Sequence, residues 1–451
     1  MPIPFMKSAL PLLIVLTQAM LAAEEPAGAQ GYANWVKSCL DETEKSLPEL
    51  SLSADWAAAR YVTDGYELGL CGDPGLVGEI HGRSGGPMRL ATDNPRDELS
   101  LAKPELKCVV LLFLRDENFE ALVSRAREFN KQGNKPVIAI GRRELLDRVK
   151  AAGVQLDAAL DNHAAPHGGL IPVVPASLPA GTEAGTTPAG RDAGATQTAW
   201  KVPTDPVASM IVGWTWIGEF VGACTRLGKM PPMYLGYAVA GGKERAAKIG
   251  NIKFHAEKPV RMHAGVIGKR FLAEQRKNFD AILNAEGDKI QRVGEMAAQA
   301  RKAGKGLYNA VFGHAVMGHV PYKPDDPNLF KRVSRGWFEI DKSVQFAAGD
   351  VVFCVGFDSP FTEKEWNGFP DMARQAGAKI VWTFSACKPE ELKAKPDDEI
   401  LIDQHWAAGD AVAGVDGYDV KILPTSGVLS ESVYWMVNAE IMRLEEALGA
   451  K

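Results

Sequence analysis

The chain has 451 residues, 46% of them hydrophobic, so two to three domains with real cores are expected. Its net charge of −5 is mild, and no basic patch interleaved with aromatics occurs, which argues against nucleic acid as a partner. Six cysteines stand at 39, 71, 108, 224, 354 and 387 with no CxxC and no zinc-like spacing; no metal or cofactor is expected, and no disulfide pair is assignable.

The first 29 residues read as a cleavable leader. Lys7 precedes the apolar run Ala9–Ala23, and Ala27-Gly28-Ala29 fits the small-x-small cleavage rule, with Ala23 as an alternative cut. The run is interrupted by Pro11, Thr17 and Gln18 and is too short to span a bilayer comfortably. The expectation is a secreted or periplasmic protein without a membrane span in the mature chain.

Helices are expected over Tyr32–Leu47 and Asp55–Val62, then a short strand over Tyr66–Cys71 ending at Gly72. A tight glycine turn followed by a helix start offers backbone N–H groups to an anion. Lys107–Leu114 is a continuous apolar run, the mark of a parallel strand buried on both faces. A helix (Glu117–Lys131), a strand (Pro136–Ile140), a helix (Arg143–Ala152) and the loop carrying Asp161-Asn162-His163 follow. Ala180–Ala199 is rich in Gly, Thr and Ala without apolar period and reads as an exposed insertion. Thr204–Phe220 reads as an N-capped core helix, and Met230-Pro231-Pro232 as an extended tail. Further on come a long helix (Phe271–Ala303), a strand (Gly306–Phe312) with Gly313-His314 at its end, a strand (Asp350–Gly356), a helix (Lys364–Ala376) and a strand (Ala378–Phe384).

The second half echoes the first. Thr204–Phe220 and Thr425–Ile441 share Thr204/Thr425, Val207/Val428, Ser209/Ser430, Val212/Val433, Trp214/Trp435 and Glu219/Glu440. Val109–Phe113 matches Val351–Val355, Gly133-x-Lys135-x-Val137 matches Gly377-x-Lys379-x-Val381, and Asp161-Asn-His163 matches Asp403-Gln-His405. The offsets of these last three are 242 to 244 residues, falling to 221 across the insertion. The expected fold is α/β: two doubly wound, flavodoxin-like parallel-sheet domains related by internal duplication, over residues 30–257 and 258–451. Ligands of such sheets bind at the carboxyl ends of the strands.

The order of these motifs, with Glu79-x-x-x-Arg83-x-Gly85-Gly86, Gly313-His314 and the late Met230-Pro231-Pro232 strand, resembles the sugar isomerase (SIS) family. Within it, the likeness is nearest to a phosphoheptose-isomerase-like branch. The resemblance implies a phosphosugar ligand, held by a Ser/Thr loop after the second strand at a helix N-terminus. The chain departs there. The first copy has Arg115-Asp116-Glu117-Asn118, whose carboxylates would repel a phosphate; the second has Gly356-Phe-Asp358-Ser359-Pro-Phe-Thr362, with only two hydroxyls. Thr425 and Ser426 add further contacts at the last helix.

Glu79 stands where the resemblance places a helical glutamate four residues before an arginine; aldose–ketose isomerisation needs a base to move a proton next to a carbonyl, and a carboxylate in a cleft can do it. The plainer role is an i,i+4 ion pair with Arg83. His314 reads as a sugar-hydroxyl or acid contact, or as a turn residue. His163 and His405 read as ligand contacts, or as one loop-closing job inherited twice. Gly72 and Gly313 shape the two strand ends. Glu219 and Glu440 read as contacts between the copies, and Trp214 and Trp435 as core. The leading expectation is an exported tandem protein binding a sugar or phosphosugar between its copies, as monomer or homodimer. Its rivals are an active isomerase using Glu79 with His314, and a non-binding scaffold.

Overall fold

The computed structural model describes residues 28–165, 170–172, 201–237, 239–311, 328–334, 341, 343–356, 369–385, 396–407 and 409–447. The expected insertion, the leader up to residue 27, Gly313, His314 and Ser359 lie outside the described residues.

Two helices, α1 (Gly28–Lys45) and α2 (Leu47–Thr63), open the chain, longer than their sequence signals. Then come β1 (Glu67–Gly72), α3 (Pro74–Ile80), β2 (Cys108–Phe113), α4 (Phe119–Gln132), β3 (Val137–Gly141), α5 (Arg143–Ala151) and β4 (Ala158–Asp161). A small antiparallel pair, β5 (Leu170–Pro172) with β6 (Lys201–Pro203), leads into α6 (Asp205–Arg226). A connector with α7 (Gly242–Ile249) reaches the long α8 (Val266–Lys302). The second copy repeats the order: β7 (Leu307–Val311), β8 (Lys331–Arg332), β9 (Val351–Val355), α9 (Phe369–Gln375), β10 (Lys379–Phe384) and β11 (Ile400–Asp403). It closes with its own antiparallel pair, β12 (Ala411–Ala413) and β13 (Ile422–Pro424), and α10 (Ser426–Ala447).

Both main sheets are parallel, in the order β1-β2-β3-β4 and β11-β10-β9-β7-β8. The repeat reaches the sheet edges. Ala91 bridges Gly69 in parallel beside β1, as β8 runs beside β7.

Alternation along each buried strand explains the layers. Val109, Leu111 and Phe113 face one core with helices α1, α2, α6, α8 and α10, while Cys108, Val110 and Leu112 face a second core under α4 and α5. In the second copy Val351, Phe353 and Val355 join the first of these cores, and Val352 and Cys354 face a third under α9. One helix layer is therefore shared by both sheets. Helix α6 is long and apolar enough to cross a membrane by length and composition, yet its apolar stretch is wholly buried in this layer.

The shared layer is stitched by the paired glutamates. Glu219 Oε2 accepts from Ser51 Oγ on α2 (2.6 Å) and from Gly265 N (2.6 Å), and Oε1 accepts from Gly268 N (2.9 Å), so the carboxylate caps α8. Glu440 accepts from Ala29 N on α1 at 3.3 Å and packs against Gly294 of α8. Each final helix thus touches an opening helix and α8. Gly28 and Ala29, at the end of the expected leader, belong to this packing.

The threonines that open the two signature segments do not cap their helices as expected. Thr204 makes no side-chain cap bond; its hydroxyl accepts from Ala165 N at 2.9 Å. Thr425 Oγ1 donates to Gln275 Oε1 at 3.1 Å. Each hydroxyl ties a neighbouring segment instead, and at α10 the Asp410 carboxylate serves the helix start.

Candidate functional site

At the first strand end, Gly72 holds φ +127°, and a Cβ there would lie 2.3 Å from the Phe113 carbonyl oxygen, so only glycine fits the approach of β1 to β2. The turn beyond it does not present free N–H groups. Asp73 Oδ1 accepts from Gly75 N (2.9 Å) and Leu76 N (3.0 Å), and its Oδ2 pairs with Arg115 Nη1 at 2.9 Å. Arg115 also pairs with Glu117 at 2.9 Å. Arg142 pairs with Asp116 and, at 3.2 Å, with Asp205 at the start of α6. Burial pushes the Asp205 carboxyl up to about 6, against the pull of Arg142. The loop carboxylates Asp116 and Glu117 are thus consumed by arginines of the chain, and this crevice is filled from within.

The second group of residues lies where α3 of the first copy meets α10 of the second. Glu79 and Arg83 are each 1% exposed. Arg83 Nε stands 3.5 Å from Glu79 Oε1, and Arg83 Nη2 is 3.0 Å from Asp410 Oδ2 and donates to Ser426 Oγ. Asp410 Oδ1 accepts from Thr425 N (2.9 Å) and Ser426 N (2.7 Å), and Oδ2 accepts from Ser426 Oγ (2.9 Å), so Asp410 caps α10. Trp214 Nε1 donates to Glu79 Oε1 at 3.3 Å. Among the described residues Glu79 Oε2 has no hydrogen-bond partner. The carboxyl sits against Gly427, where a Cβ would come within 2.0 Å of Oε1. Burial raises its pKa to about 7, with Arg83 opposing and Asp410 adding to the rise.

The backbone fixes this meeting. Gly85, at φ +76°, donates its N–H to the Tyr234 carbonyl at 2.8 Å and accepts from Leu423 N at 2.9 Å. A Cβ there would press on Ala411 and Leu423 within 2.9 Å. The Gly85-Gly86 pair therefore locks the first copy onto β13 and onto the extended Pro232–Tyr234 tail, which pairs with Gly86 and Met88.

The structure brings Glu79, Arg83, Thr425 and Ser426 together and leaves Gly72 at the separate, filled crevice. His163 and His405 lie in equivalent loops of the two copies. Both adopt left-handed backbone, φ 58° and 55°. Each N–H donates to an aspartate two residues earlier, His163 to Asp161 at 3.0 Å and His405 to Asp403 at 2.9 Å. Their rings reach Ser46 Oγ (2.9 Å) and Glu286 Oε1 (3.3 Å) respectively. The loop-closing role is the one observed. Between them and the helices, Asn162 donates to Ser209 at 2.9 Å, and Ser430 donates to Gln404 at 3.1 Å, a matched link in each copy.

Sequence reading missed Asp73, Arg142 and, above all, Asp410. It also took Trp214 as core only, although its indole N–H is spent on Glu79. Among the described residues no three His, Cys, Asp or Glu side chains gather to hold a metal. A surface cavity of about 510 Å³ lies elsewhere, between α2 and the start of α8, beside Lys45, Leu52, Asp55 and Lys269.

No family model and no curated protein matches the sequence. Solved structures similar in shape include the C-terminal domain of glucosamine-fructose-6-phosphate aminotransferase from Francisella tularensis (TM-score 0.42, 9% identity, 91% of this chain and 95% of that one). A protein from Salmonella typhimurium LT2 described as a putative sugar binding protein aligns with TM-score 0.48 and 11% identity over 92% of this chain and 99% of that one. Tagatose-6-phosphate ketose/aldose isomerase from Escherichia coli aligns with TM-score 0.43 and 11% identity over 94% and 95%. At these values the likeness does not identify the chain with any of them.

Proposed function

We propose that the chain binds a sugar or phosphosugar derivative at the junction of its two copies, where α3 meets the start of α10. The observation that carries this reading is Glu79 Oε2, an acceptor buried without a partner inside a network whose other carboxylate, Asp410, is saturated. An unmet buried acceptor costs on the order of 1–3 kcal/mol, a cost a ligand donor removes. A ligand reaching Glu79 must part α3 from Gly427, since the carboxyl is covered in this state. We further propose that the apolar run Ala9–Ala23 directs export of this function.

A second reading, aldose–ketose isomerisation, is favoured by the Glu79 carboxyl lying at about 7, where one group both takes and returns a proton near neutral pH. A melting-temperature screen against sugars and sugar phosphates, followed by an assay for ketose formation, separates the readings. Binding gives a saturable rise with at least one sugar. Isomerisation adds turnover that Glu79→Gln lowers by about 100-fold or more. A flat response to every compound contradicts both and leaves a scaffold.

A further inference from the structure

Anion-binding places in such a fold are helix N-termini and arginines beside strand ends. Here the chain's own carboxylates occupy them. Asp73 takes the N–H groups that open α3, Asp410 those that open α10, and Glu219 those that open α8. Arg115 is matched by Asp73 and Glu117, Arg142 by Asp116 and Asp205, and Arg83 by Asp410 and Glu79. At the junction Arg83 Nε faces Glu79 Oε1 at 3.5 Å, and the acceptor Glu79 Oε2 is left without a hydrogen bond among the described residues. The junction carries two carboxyl groups against one guanidinium, all buried.

We propose that the junction takes an unphosphorylated sugar, recognised through a hydroxyl or ammonium that donates to Glu79 Oε2. The proposal rests on the sugar-binding reading above and narrows it. A phosphate brought to this point meets two carboxyl groups in a medium of low dielectric, and the N–H groups of Thr425 and Ser426 already serve Asp410. A hydroxyl supplies the missing donor and adds no charge.

The test is calorimetric titration of the full chain with glucose, galactose, glucosamine and N-acetylglucosamine, each beside its own 6-phosphate. The expected result is at least one free sugar with a Kd tenfold or more below that of its 6-phosphate. A second measurement on the same sugar expects Glu79→Gln to raise that Kd tenfold or more while far-UV circular dichroism is unchanged. A 6-phosphate that binds as tightly as its free sugar overturns this proposal and leaves sugar binding standing. No binding by either series overturns the sugar-binding reading itself.

Discussion

Asp410→Ala is expected to destabilise the fold by about 3–5 kcal/mol. Three losses combine. The N–H groups of Thr425 and Ser426 lose the acceptor that caps α10, worth about 1 kcal/mol. Arg83 loses its nearer carboxylate and keeps Glu79 at 3.5 Å in a site sealed from water. Residue 410 also holds φ 65°, a left-handed conformation that aspartate tolerates better than alanine. Asp410→Asn keeps the cap and the backbone tolerance and loses only the charge, so about half the effect is expected. Urea unfolding of the three proteins measures this, and a loss under about 1 kcal/mol for the alanine variant contradicts the junction described here.

The second large effect is on pH dependence. The folded state raises the Glu79 carboxyl from 4.5 to about 7, so folded protein holds this proton more tightly than unfolded chain. For an acid shifted upward, the penalty is fully present above the folded value. It fades as pH falls through the interval from 7 and is gone below 4.5. Stability at this site therefore rises on acidification, by about 3 kcal/mol at most. Glu79→Gln carries no such proton. Wild type is expected to gain about that much over the variant between pH 8 and pH 5. Asp205, pushed up to about 6, acts with the same sign but in both proteins, so it cancels in the difference. A difference that stays constant with pH shows that Glu79 is not the buried, upward-shifted group.

How much of this was readable in the residues follows from which forces act locally. The strands were legible because runs such as Val109–Phe113 and Val351–Val355 are buried on both faces and leave no polar interruption. The repeat was legible because matched residues do matched work: His163 and His405 close equivalent loops, Asn162 and Gln404 each reach a serine of a final helix, and Glu219 and Glu440 each join α8. Glu79, Arg83, Thr425 and Ser426 were legible as candidates, but not as one cluster. Nothing in the local sequence says that α3 meets a helix start more than three hundred residues later.

Asp410 was invisible for the same reason. It stands in a loop between Gly409 and Ala411, and its partners come from the opposite copy and from two turns further along its own. The threonine caps were misread because a hydroxyl before a helix looks like a cap until a stronger acceptor is known to be near. In the second copy that acceptor is Asp410, beside Arg83 of the first copy.

The proposed place for a ligand is the junction between α3 and α10. The most direct measurement is a crystal structure of the full chain grown or soaked with the sugar that binds most tightly in titration. That placement predicts a sugar hydroxyl or amine within about 3.2 Å of Glu79 Oε2, with Gly427 displaced to admit it. A sugar lodged instead in the 510 Å³ cavity beside Leu52 and Lys269, with Glu79 still covered and unpartnered, contradicts it.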